Sequence, residues 1–102
     1  MEVKTLTTEE QIQVLKEVRK RLLNRIFDLG LCDMFRSKLF EIYGITTSFH
    51  EIPNYIPLFR MDYAIKHAKA TYGLFWWPQS NKTDRLAFLD WMISELEKQL
   101  NN

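Results

Sequence analysis

Residues 7–30 read TTEEQIQVLKEVRKRLLNRIFDLG, and their periodicity decides the fold class. Thr7 precedes Glu10 by three positions, the pattern of a capping box in which each side chain satisfies the other's free backbone amide. Ile12, Leu15, Val18, Leu22, Ile26 and Leu29 then recur every three or four residues, and Val14, Leu23 and Phe27 widen the stripe. Such spacing places one apolar face along a helix and turns it toward a core. Gly30 tolerates the left-handed conformation that ends many helices. The expected first helix covers about residues 8–29.

Working outward, a shorter helix is expected from about Asp33 to Tyr43, closed by Gly44, with Leu31, Phe35, Leu39 and Ile42 inward. Residues 45–59 carry Thr46, Thr47, Ser48, Pro53 and Pro57, which interrupt regular patterns. There Ser48 is expected to cap one short turn ending before Pro53. Tyr55, Ile56, Leu58 and Phe59 form a second apolar patch over the bundle, and Asp62 starts a helix running through Ala70. The final helix opens near Asn81, with Asp84 in its first turn and Leu86, Leu89, Ile93, Leu96 and Leu100 as its stripe. Before it, Leu74 to Trp77 is short, aromatic and bounded by Gly73 and Pro78, which favours an extended segment. The fold expected is therefore mainly α: one domain over residues 1–102, a bundle of three to four helices with an aromatic extended segment before the last.

Composition narrows the function classes. A chain of 102 residues with 46% apolar and 26% charged residues fits one globular domain. Its net charge of +1, with acids and bases intermixed, lacks the concentrated basic footprint of a dedicated duplex DNA binder. Cys32 is the lone cysteine, so no internal disulfide forms and a reducing compartment is expected. No apolar run suits a signal peptide or a membrane span, which gives the expectation of a cytoplasmic protein.

Two successive tryptophans in an extended segment face opposite ways, so one of Trp76 and Trp77 is expected to pack inward and the other to cover a second surface. With Arg85 and Lys82 they suggest an aromatic platform with cations, completed by Tyr72 and Phe75, that stacks a base and meets a phosphate. The helix start near Lys82 adds free amides that attract anions. A purely structural use competes: the indoles bridge helices and Arg85 stacks on one of them. Arg19, Lys20, Arg21 and Arg25 fan around the first helix and read as a solvated face, with Glu17 placed to pair with Arg21.

His50, His67 and Cys32 have no zinc-ligand spacing, and no nucleophile–base pair is visible, so no metal, cofactor or enzymatic activity is expected. His67 beside Lys66 and Lys69 suits an anionic ligand instead. Cys32 reads as a small buried hydrophobe. Trp91 lies off the last helix's stripe, where it packs against the middle segment or mediates self-association, and packing is the favoured use.

Gly30-Leu31-Cys32, the later Phe75-Trp76-Trp77-Pro78 and the run Arg85-x-x-Phe88-Leu89 together resemble a loose group of small phage-encoded accessory proteins, over about residues 30–97. The resemblance implies phage or prophage origin and an accessory role inside an infected bacterial host. Combined with the aromatic and cationic residues, it points to a non-enzymatic counter-defence protein that sequesters a small nucleotide-derived signal. The alternative is an inhibitor or adaptor that docks on a host or phage protein through its aromatic surface. A phosphodiesterase using His50 or His67 ranks last.

Overall fold

In the computed structural model, residues 5–24, 30–68 and 82–101 are described. Five α-helical segments and no strand occur among them: α1 (Thr8–Asn24), α2 (Leu31–Tyr43), α3 (Ile52–Tyr55), α4 (Met61–Ala68) and α5 (Lys82–Leu100). A 3₁₀ turn, Phe49–Glu51, leads into α3. The fold is mainly α, as the periodicity indicated, but with more helices than the three to four expected. The expected extended segment, and residues 25–29 of the first helix, lie outside the described residues.

The capping box at α1 forms as its sequence dictates. The Thr7 amide donates to Glu10 Oε1 at 2.9 Å and the Glu10 amide to Thr7 Oγ1 at 3.1 Å. Replacing Thr7 by alanine is expected to cost about 1 kcal/mol, read by urea denaturation. Ile12, Val14, Leu15, Val18 and Leu22 are buried along α1. Leu23 does not join them: it is 45% exposed. It shares the Lys16–Lys20 edge of the helix, about a quarter turn away from Leu22.

Helix α2 starts two residues earlier than Asp33, after an extended Gly30, so Leu31 and Cys32 enter the core with Met34, Phe35 and Leu39. It ends in a left-handed glycine cap of the αL type. Gly44 takes φ +69°, its amide reaches Phe40 O at 2.9 Å, and the Ile45 amide reaches Leu39 O at 3.2 Å. An added Cβ at Gly44 meets nothing within 4 Å, so Gly44→Ala costs backbone conformation alone, about 1 kcal/mol in a denaturation experiment.

The short turn that Ser48 caps, Phe49–Glu51, ends before Pro53, as expected. Ser48 and Glu51 form a second capping box, and α3 continues with Pro53 in its first turn, where the missing amide would have had no helical partner. Arg36 fastens this segment to α2: its Nε donates to Thr47 O at 2.8 Å and its guanidinium lies 4.9 Å from the Phe49 ring centre. Of the patch expected over the bundle, Tyr55, Ile56 and Phe59 are buried in the core, where Ile52 joins them, and Leu58 is half-buried against it. Phe59 packs 4.3 Å from Phe35 and 6.0 Å from Phe88, joining α2 to α5.

Helices α1 and α5 run antiparallel: Arg19 pairs with Asp90 at 2.7 Å and Lys16 with Glu97 at 3.8 Å. The buried arc of α5 is Arg85, Phe88, Leu89, Met92, Ile93 and Leu96. Leu86 is only half-buried at the arc's edge, and Leu100 is exposed in the last turn. Helix α4 begins at Met61, one residue before the cap expected at Asp62. Asp62 instead sits in the first turn and takes both nitrogens of an Arg60 fork, at 3.1 and 2.8 Å.

Candidate functional site: an aromatic column between α4 and α5

Helix α5 carries Trp91, Glu95, Lys98 and Gln99 at positions i, i+4, i+7 and i+8, which share a face. Helix α4 opposes them with Tyr63, Lys66 and His67, at spacings of three and four. Packing α4 on α5 brings the rings together. The His67 imidazole stacks on the Trp91 indole, centroids 3.9 Å apart and planes 14° from parallel. Phe88 lies 6.1 Å from Trp91, its ring 11° from parallel. Three rings therefore form one near-parallel column, from the core outward. Tyr63 braces its side, 5.3 Å from Trp91 and 6.4 Å from His67.

The column ends on an exposed imidazole. Around it opens a groove of about 440 Å³, lined also by Leu58, Lys66, Glu95, Lys98 and Gln99. That volume lies within the range of small-ligand sites, roughly 300–1,000 Å³. Lys66 is exposed and has no ion pair among the described residues, while Lys98 Nζ lies 3.2 Å from Glu95 Oε2. An exposed pair of this kind is worth less than about 1 kcal/mol, so both groups can turn to a ligand. One face of the exposed His67 imidazole lies on Trp91.

The larger groove between α1 and α5, about 520 Å³, is a weaker candidate. Its lining holds no aromatic ring, and Arg19 and Lys16 are engaged by Asp90 and Glu97.

Of the residues expected to form a site, Tyr72, Phe75, Trp76 and Trp77 lie outside the described residues. Lys82 is half-buried at the start of α5. Arg85, one turn later, is 1% exposed on the inward face, and burial lowers its pKa. It has a partner, as a buried guanidinium must. The structure joins His67, expected to serve an anion with Lys66, to Trp91, expected to pack. It was their mutual stacking that periodicity could not supply, because the two residues belong to different helices; the one visible sign was Trp91 standing off its stripe.

Cys32 is buried as expected, and burial first, then the Asp33 charge, pushes its thiol up to about 12 against an opposing effect of Arg36. The folded state thus holds this proton where the unfolded chain releases it. Stability from Cys32 is present in full below about pH 9 and falls above it, by about 1.4 kcal/mol per pH unit up to the folded value. Cys32→Ala is expected to flatten that alkaline slope in denaturation curves taken between pH 8 and 10.5, values set by about the unperturbed thiol range.

Among the described residues no cluster of three or more His, Cys, Asp or Glu side chains is arranged to hold a metal ion, and no helix is long and apolar enough to cross a membrane. Among the described residues the fold is helical throughout its regular elements and carries an aromatic, cation-flanked cleft between α4 and α5. Comparisons with protein families, with curated proteins and with solved structures give no match for this chain.

Proposed function

We propose that this protein is a non-enzymatic binding protein that takes a small nucleotide-derived anion into the α4–α5 groove. The observation that carries the reading is the ring column Phe88–Trp91–His67 ending on an exposed imidazole, flanked by Lys66 and Lys98. A planar base extends the column by one layer, gaining about 1–3 kcal/mol from stacking. The two ammonium groups attract its phosphate. The resemblance to phage accessory proteins supplies the biological setting: sequestration of a signalling nucleotide in the cytoplasm of an infected host, as counter-defence. Tyr72, Phe75, Trp76, Trp77, Lys82 and Arg85 remain candidate contributors on the sequence argument alone.

Docking on a protein is the other reading. Among the described residues the exposed large apolar side chains are Leu23, Phe40, Ile65 and Leu100, one on each of four helices. A protein interface draws on a contiguous apolar patch.

Titration calorimetry with mono-, di- and cyclic nucleotides tests the proposal. Saturable binding at micromolar concentrations, weakening as salt rises, is the expected result. Absence of binding by every nucleotide at high micromolar protein would end it.

A further inference from the structure

Among the described residues that line the α4–α5 groove, His67 alone carries an imidazole. Imidazole is the side-chain type that ordinarily changes charge between about pH 5 and 8, where carboxylates, ammonium groups and phenols ordinarily do not. We propose that the groove takes up a proton on His67 together with its anion, so that affinity rises as pH falls through neutrality; this rests on the binding role proposed for the groove.

The charges around His67 come from both helices. On α4, Lys66 is exposed beside it, and the Tyr63 ring lies 6.4 Å away. From α5, Trp91, Glu95 and Lys98 line the same groove, and Leu58 adds an apolar group from the segment before α4. Arg60 lies 4.9 Å from the Tyr63 ring centre and is paired with Asp62. The lining thus sets two ammonium groups against one carboxylate, and a protonated His67 adds a third cation. An indole face attracts a cation within about 6 Å of its centre, so the 3.9 Å stack on Trp91 suits the protonated ring as well as the neutral one. In the empty groove the third cation adds to like charge, and a bound phosphate offsets it.

A groove of about 440 Å³ spans roughly 9 Å, about one Debye length at physiological salt, so a phosphate held within it feels the charge on His67. The coupling is reciprocal: the anion favours the protonated ring, and the proton favours the anion by the same factor. Raising the pH removes that proton and one cation with it, so binding weakens. The expected size is about tenfold.

Calorimetry on the full chain with 3′,5′-cyclic AMP and 3′,5′-cyclic GMP, at about pH 5.5 and pH 8, tests the coupling. Their phosphodiester keeps one charge throughout, whereas a terminal phosphate gains a second near about pH 6. At least one of the two is expected to bind about tenfold more tightly at the lower pH. His67→Phe keeps a ring and cannot take a proton, so its affinity is expected to be the same at both, while His50→Gln retains the difference. NMR titration of the wild-type imidazoles supplies a readout that needs no variant: the midpoint of His67 is expected to move to higher pH when the nucleotide is bound, and that of His50 to stay. Equal affinity at the two pH values, a dependence that survives His67→Phe, or an unmoved His67 midpoint overturns the coupling while leaving nucleotide binding in place. Binding of AMP or GMP with neither cyclic nucleotide bound at the lower pH overturns it too, because the groove is then at its most positive. If no nucleotide binds at all, the coupling and the binding role fall together.

Discussion

Replacing Arg85 by alanine is expected to destabilise the protein by about 3 kcal/mol or more, lowering Tm by roughly 12 °C or beyond. Among the described residues Arg85 is the largest side chain that the fold buries completely, on the arc of α5 that also holds Phe88 and Leu89. Alanine removes that volume and strands whatever polar groups the guanidinium engages, so a cavity and a desolvation penalty add. Arg85→Met keeps most of the volume but none of the donors, and separates the two contributions. Thermal unfolding by circular dichroism reads both. A loss of under 3 °C in Arg85→Ala would show that the guanidinium is not part of the core's support. An intact Tm with lost nucleotide binding would instead assign it to the ligand.

Trp91→Ala is expected to weaken nucleotide binding by more than about a hundredfold, near 3 kcal/mol. The indole supports His67 from behind at 3.9 Å, so its removal takes away both the column's middle layer and the orientation of its outer one. Trp91→Phe retains a ring in the same place and is expected to recover most of the affinity. Calorimetry with the tightest nucleotide measures both, and circular dichroism checks that the helices persist. Wild-type affinity in Trp91→Ala would move the binding site elsewhere. Parallel measurements on Trp76→Ala and Trp77→Ala then show whether the tandem pair is that place.

What the chain discloses about itself divides along the range of the interactions. Caps and stripes are local, so Thr7 with Glu10, Gly44 and the buried series Ile12, Leu15, Val18 and Leu22 are all readable in advance. The Ser48 turn stops before Pro53 as its sequence indicates, but the short helix that Pro53 helps to open was not legible, because proline breaks a helix interior yet suits a first turn, and the difference depends on where the helix starts. Leu23 and Leu100 misled because an apolar residue at helical spacing is a candidate for burial only if another element covers it. The groove was least legible. Trp91 could be seen to stand off its stripe, and His67 to sit among lysines, but their stacking exists only once α4 has docked on α5. Arg85 stands out in the sequence as a charge, whereas its place three residues before Phe88 on the apolar arc marks it equally well as an inward-facing position.

The pairing of α1 with α5 sets an order of events during synthesis. Val14, Leu15 and Val18 are made well before the helix against which α1 lies. Until Lys82–Leu100 has been made, the nascent chain carries an incompletely covered greasy ridge, and its burial requires stretches far apart in sequence to meet. A chain cut short before Lys82 would leave that ridge open to proteases and chaperones.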